Sequence, residues 1–132
     1  KIERPGPLDP NFTPSIPLTL INNGKSLDVV ALLDSGADVS LIPKGVMDIL
    51  NIDISKGKRE TVGGVGGFLE TVESKVLALV QNAHERYRIP LTVKVPINDT
   101  DKFPLLIGRR DFFSYFEITF KEAERKIILR KA

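Results

Sequence analysis

The chain has 132 residues and balances 19 Lys and Arg against 17 Asp and Glu, a formal charge of +2 that gives no basic footprint for nucleic acid. It contains no cysteine, which excludes disulfides, thiolate metal sites and cysteine nucleophiles. A single domain of this size buries roughly two thirds of the surface of its unfolded chain and folds without covalent staples.

Taken in order, residues 1–13 hold Pro5, Pro7 and Pro10 with Gly6 and predict an extended arm, because proline denies the backbone both a helix interior and a central ladder. The chain begins at Lys1, as a processed product or an excised domain would, and the arm could be the remnant of a cleavage junction. Residues 15–21 alternate as a strand, Asn22-Asn23-Gly24-Lys25 is a hairpin signal, and residues 27–33 return as the partner. Residues 29–33 are continuously apolar, which predicts a short buried strand, and Asp34-Ser35-Gly36 is turn chemistry. A carboxylate at the end of a core strand loses hydration unless it is hydrogen-bonded or has a function.

Residues 39–43 are β-like, and residues 44–50 predict a helical turn with Val46, Ile49 and Leu50 facing inward. After a loop at 51–57, residues 58–65 and 66–72 predict two strands meeting at a block of glycines, the second continuing through 74–80. The only histidine, His84, lies in the polar run 81–86, a turn between strands, so a Ser-His-Asp triad or a zinc site gains little support and no metal or cofactor is expected. Residues 87–95 form a further strand with Pro90 at an edge or bulge, 96–103 a polar loop and 104–107 a short buried strand. Residues 109–115 predict a helix, and 117–120 with 126–130 a closing hairpin. Many short strands punctuated by turns point to an all-β, partly closed architecture. No apolar run reaches the eighteen or so residues of a membrane span, and no signal peptide is visible. With the absence of cysteine, this is compatible with a soluble, cytoplasmic domain that contacts no membrane.

Asp-Ser-Gly alone is ordinary turn chemistry, with Asp capping backbone N–H groups. Its company is less ordinary. Ala31-Leu32-Leu33-Asp34-Ser35-Gly36-Ala37-Asp38 is followed by Thr61-Val62-Gly63-Gly64-Val65-Gly66-Gly67-Phe68 and then by Leu105-Leu106-Ile107-Gly108-Arg109. In this order and spacing the three blocks resemble the catalytic loop, the flap and the strand-Gly-Arg segment of the retropepsin-like aspartic proteases, over residues 14–113. The resemblance implies a protease domain at 14–132 preceded by the arm at 1–13. The implied fold is a β-barrel with a flap hairpin and one short C-terminal helix, forming one half of a dimeric acid protease.

Peptide hydrolysis without metal, cysteine or histidine leaves a route through two carboxylates that share a proton across a water. The sequence holds one Asp-Ser-Gly loop, so the resemblance implies a homodimer with a two-fold axis between Asp34 and its symmetry mate. The implied catalytic set is Asp34, Ser35 and Gly36. Ser35 would hydrogen-bond the opposite loop across the axis or make a local turn bond, and Gly36 would let the loop bend. Asp38 would bind substrate backbone, and Ala37, Gly108 and Arg109 would support the loop. The partner of Asp38 is Arg109, with Arg110 as the alternative. The glycine block lacks the Lys-Ser/Thr of a phosphate loop and is flanked by strands. By resemblance, Gly63, Gly64, Val65, Gly66 and Gly67 would instead close over an extended peptide. Leu32, Val39, Val65, Pro104 and Leu106 match subsite positions and imply a preference for hydrophobic or aromatic residues beside the cleaved bond.

The chain runs on as residues 116–132, beyond the retroviral pattern, so the closing hairpin is a candidate for the dimer interface or for covering a sheet edge. Two further readings stay open: a peptide-binding dimer that does not cut, and a self-processing domain of a larger polyprotein.

Overall fold

The computed structural model describes residues 2–4, 14–64, 67–97 and 104–132. Strand β1 (Ile2–Arg4) falls in the proline-rich arm, and the rest of that arm lies outside the described residues. Strands β2 (Ser15–Asn22) and β3 (Lys25–Leu33) pair from Asn22↔Lys25 to Ser15↔Leu32. Their turn is the one the sequence demands: Asn23 at φ 48° and Gly24 at φ 78° take the left-handed conformations that match the twist of a two-residue hairpin. That turn sets the register, and the register sends Ile16, Leu18 and Leu20 inward.

The run 29–33 is not buried on both faces, as its continuous apolarity predicted. Ala31 and Leu33 are buried, whereas Val30, opposite Pro17, is 67% exposed. An antiparallel barrel strand has one face toward water, and periodicity of apolar residues cannot reveal that when both faces carry them.

β4 (Ser40–Leu41) leads into helix α1 (Lys44–Leu50), which buries Met47 and Leu50 and packs Val46 on the core. Ile49, expected inward, is 56% exposed, because it lies roughly 100° around the helix from the face that those three residues share. Asn51 at φ 53° ends the helix, with its N–H on the Asp48 carbonyl and the Ile52 N–H on that of Met47.

β5 (Arg59–Gly64) and β6 (Gly67–Gln81) form a hairpin from Arg59↔Val72 to Gly64↔Gly67, and β6 runs on to pair with β7 (Arg86–Pro96) from Thr71↔Pro96 to Gln81↔Arg86. Pro90 sits in β7 opposite Leu77. On its other side β7 pairs with β4 only at Val93 and Lys94, so Pro90 withholds no ladder bond there. β8 (Leu106–Ile107) inserts between β3 and β4.

The order β2-β3-β8-β4-β7-β6, with β6 returning to β2 at Thr19↔Leu79 through Ile21↔Leu77, closes a six-stranded barrel from which β5 projects. The partly closed architecture expected from the sequence is thus a closed one. Closure satisfies the sheet edges that a run of short strands would leave open.

β9 (Phe116–Lys121) and β10 (Lys126–Lys131) form the expected closing hairpin, and β1 adds to it in the order β1-β10-β9. Ile127 and Leu129 enter the barrel core beside Phe112 and Phe116, whose rings are 5.1 Å apart. Tyr87 meets Phe116 edge-to-face at 5.3 Å, which joins β7 to this second sheet. The helix expected over 109–115 is an interrupted turn: Arg110 is extended and Asp111 takes φ 70°. The reason is tertiary, since the Asp111 carboxylate turns back to accept the Thr92 N–H at 2.8 Å.

Candidate active site

The site begins where β3 leaves the barrel. Leu32 and Leu33 run parallel to Leu106 and Ile107, and the ladder continues one residue past the strand, the Asp34 N–H donating to the Ile107 carbonyl at 2.9 Å. Beyond this point the chain must turn, and Asp-Ser-Gly turns it. The Gly36 N–H donates to Asp34 Oδ1 at 2.9 Å, and the Ala37 N–H to the Asp34 carbonyl at 3.2 Å. Asp34 is half-buried and Ser35 and Gly36 are exposed, so the carboxylate stands at the mouth of the barrel rather than in its core. A Cβ on Gly36 would lie 3.3 Å from Asp34 Oδ1, which makes glycine the residue that leaves that oxygen accessible.

A second segment buttresses the loop. Gly108 N–H donates to Ser40 Oγ, Arg109 N–H to the Ala37 carbonyl and Arg110 N–H to the Asp38 carbonyl, at 3.2, 2.8 and 2.8 Å. Gly108 lies so close to the Val39 backbone that a Cβ there would meet the Val39 oxygen at 2.4 Å. Its backbone is extended, so the need for glycine is steric. Arg109 Nη2 donates to Asp38 Oδ1 at 2.5 Å, with the two side chains 60% and 82% exposed. Arg110 turns away to Glu73, at 3.6 Å, so of the two arginines it is Arg109 that takes Asp38.

Among the glycines of the projecting hairpin, Gly63, Gly64 and Gly67 lie on its strands, with Gly63 opposite Phe68 and Gly64 opposite Gly67. Val65 and Gly66, both expected in the site, lie outside the described residues. Phe68 is 85% exposed, and its ring passes over Gly63, where a Cβ would be 3.1 Å from Cε1. Of the apolar residues expected to line subsites, Leu32, Val39 and Leu106 are half-buried and Pro104 is exposed. Leu32 and Leu106 are register partners, two residue pairs below Asp34.

His84 is exposed in the β6–β7 turn, where Asn82 Oδ1 accepts the His84 and Glu85 N–H groups. Among the described residues no group of three or more His, Asp and Glu side chains gathers to hold a metal. No helix among them is long and apolar enough to cross a membrane.

One ion pair at the root of the projecting hairpin is missed by sequence reasoning. Lys94, in the apolar run Leu91-Thr92-Val93-Lys94-Val95, is 6% exposed and ion-paired with Glu60 of β5. Burial first, and then the Lys58 and Arg110 charges, hold its ammonium below the usual lysine range. The signal was available, since a lone lysine between β-branched residues of a central strand must find a partner.

No family model matches the chain, and no curated protein does. Among solved structures, it is similar to the EIAV protease complexed with the inhibitor HBY-793, at 23% identity over 78% of this chain and 88% of that one, with a TM-score of 0.47. It is also similar to a retropepsin-like aspartic protease from Rickettsia conorii, at 16% identity over 97% of this chain and 88% of that one, with a TM-score of 0.64. At that level of identity the second likeness speaks to architecture, and it does so across nearly the whole chain: the all-β fold built here from six barrel strands and a projecting hairpin is retropepsin-like.

Proposed function

We propose that the chain is an aspartic endopeptidase that acts as a homodimer. The observation that carries this is the placement of Asp34 at the mouth of a retropepsin-like barrel, its carboxylate held by the Gly36 amide and its loop braced by Gly108 and Arg109. One Asp-Ser-Gly loop supplies one carboxylate, and a two-fold axis beside Asp34 supplies the second. The two Asp34 carboxyl groups hold one proton between them, with a water bound across both. The ionised group takes a proton from the water as its oxygen attacks the scissile carbonyl carbon, while the protonated group gives its proton to the carbonyl oxygen. The tetrahedral diol collapses when one hydroxyl returns its proton to a carboxylate and the other carboxyl protonates the amide nitrogen. The C–N bond then breaks, water is consumed, and the dyad is restored with its single proton.

In this reading Ser35 and Gly36 shape the dyad, and Asp38, oriented by Arg109, binds substrate backbone. Ala37 and Gly108 hold the loop in place. The β5–β6 hairpin with Gly63, Gly64, Val65, Gly66 and Gly67 is the flap that closes on an extended peptide and excludes water. Leu32, Val39, Val65, Pro104 and Leu106 receive apolar side chains near the cleaved bond. The domain is residues 14–132, to which β1 of the arm contributes a strand, and no cofactor is required.

The test is cleavage of a mixed peptide library from about pH 3 to pH 8 by wild type and Asp34→Asn, with pepstatin in parallel and sedimentation to fix the oligomeric state. Cleavage by wild-type dimer that Asp34→Asn and pepstatin both abolish is the expected result. A dimer that binds peptides and cuts none at any pH would replace the peptidase with a peptide-binding module.

A further inference from the structure

One cross-sheet row of residues adjoins Asp34 and crosses the sheet from β3 to the root of the projecting hairpin. Leu32 partners Leu106, Leu106 partners Leu41, Leu41 partners Lys94, and Lys94 partners Glu73. The Glu73 N–H donates to the Lys58 carbonyl at 2.9 Å, which brings Lys58 alongside. Register partners share a face, and Leu32, two residues before Asp34, shares the face of Asp34. The opposite face, with Leu33, Ile107, Val93 and Val72, is the barrel core.

Along this row the surface changes character. Leu32, Leu106 and Leu41 form a half-buried apolar wall, and the wall ends in charge at Lys94. The Lys94 side chain is 7% exposed, whereas that of its partner Glu60 is 44% exposed. Glu60 can therefore swing into water; Lys94 cannot. With Glu60 withdrawn, Lys94, Lys58 and Arg110 leave three cations around Glu73, which Arg110 already engages. Such a site attracts an anion, because a buried cation without a partner is costly and a carboxylate relieves that cost.

Resting on the peptidase reading, we propose that Lys94 determines specificity by receiving an acidic side chain of the peptide substrate, which takes the place of Glu60 at the end of the Leu32–Leu106–Leu41 wall. Three strand spacings separate Leu32 from Lys94, about 14 Å along the sheet, and an extended peptide advances about 3.3 Å per residue. Allowing for the reach of two side chains, the acidic residue lies roughly two to four residues from the scissile bond. Its neighbours nearer the cut meet the apolar wall.

The test has two arms. In the first, wild type and Lys94→Met cleave matched peptides carrying Glu, Gln or Lys at each of those positions. At one position wild type is expected to favour Glu over Gln by about tenfold in kcat/KM, with Lys poorest, and Lys94→Met to lose that discrimination. Glu60→Gln, which removes the competing carboxylate and leaves Lys94 in place, is expected to sharpen the preference and serves if Lys94→Met does not fold. In the second arm, Asp34→Asn protein with and without Lys94→Met binds the Glu and Gln peptides in calorimetry, a readout that needs no cleavage. Cleavage by wild type without a preference for Glu at any position overturns this inference and leaves the peptidase reading standing. Tighter binding of the Glu peptide through Lys94 with no cleavage by wild type overturns the peptidase reading alone. Failure of both peptides to bind or be cut overturns both.

Discussion

Gly108→Ala tests whether the Asp34 loop is held by backbone contact. The added Cβ would sit 2.4 Å from the Val39 oxygen, 2.6 Å from its carbonyl carbon and 2.8 Å from its nitrogen, all below any contact that real Cβ atoms make. Conformation contributes nothing to the cost, since Gly108 has φ −90° and ψ −176°, which alanine adopts freely. What must move is backbone tied on both sides: Arg109 N–H to Ala37, Arg110 N–H to Asp38, and Gly108 N–H to the buried Ser40 hydroxyl. Overpacking costs about 1–3 kcal/mol where side chains can yield, and here none can, so the expected loss is about 3 kcal/mol. That is a factor of about 150 in the folded-to-unfolded ratio, a large part of the stability of a domain of this size. Urea unfolding of wild type and Gly108→Ala at one fixed protein concentration measures it, with Gly45→Ala, whose Cβ meets nothing, as control. A loss below about 1 kcal/mol with cleavage intact would refute the claim that this contact positions the loop.

Other substitutions probe the core, the loop pair and the buried lysine. Phe112→Ala removes a fully buried ring between Phe113 and Phe116 and is expected to cost about 3–5 kcal/mol, read from the shift in denaturant midpoint. Arg109→Ala breaks an exposed ion pair and is expected to cost no more than about 1 kcal/mol in unfolding while lowering peptide cleavage far more; a stability loss as severe as that of Phe112→Ala would contradict this. The Lys94 ammonium is held below its ordinary 10.5, so native protein binds fewer protons than unfolded protein between the depressed value and 10.5. The cost of charging Lys94 is therefore fully present below the depressed value and relieved as pH rises through it toward 10.5. Any stability advantage of Lys94→Met over wild type is expected to shrink across that window in pH-dependent urea unfolding, and an advantage that grew with pH would reverse the sign. Asp53 has a lowered pKa too, but here it is the charged form that is stabilised, by the Ser55 hydroxyl and N–H. Its contribution is present above 3.8 and lost in acid, so Asp53→Asn is expected to flatten the acid limb of the unfolding curve.

Much of the site was legible because it is built from local chemistry. Asp-Ser-Gly turns the chain through its own hydrogen bonds, with Gly36 donating to Asp34 two residues away. Asn23-Gly24 forms the tight turn by itself, and the glycines of 63–67 mark the projecting hairpin. Each of these depends on neighbours within a few positions, so the residues carry the information wherever the rest of the chain goes. Lys94 was legible only as an anomaly: a charge in an apolar strand announces a partner without naming it.

What the amino-acid order determined alone, then, is the set of strands, their turns and the loop that presents Asp34, all consequences of period, turn residues and proline. Tertiary structure decided which faces met water and which segments met each other. The return of β6 to β2 closed the barrel and left Val30 outside it. The demand of the Thr92 N–H for an acceptor pulled Asp111 into positive φ and broke the expected helix. Gly108 and Val39 are far apart in sequence, and nothing local in either shows that their backbones touch. The same holds for Glu60 and Lys94, which become partners because β5, β6 and β7 lie side by side. Burial and pairing at a distance belong to the whole packed chain, and they place the groups that local chemistry can only supply.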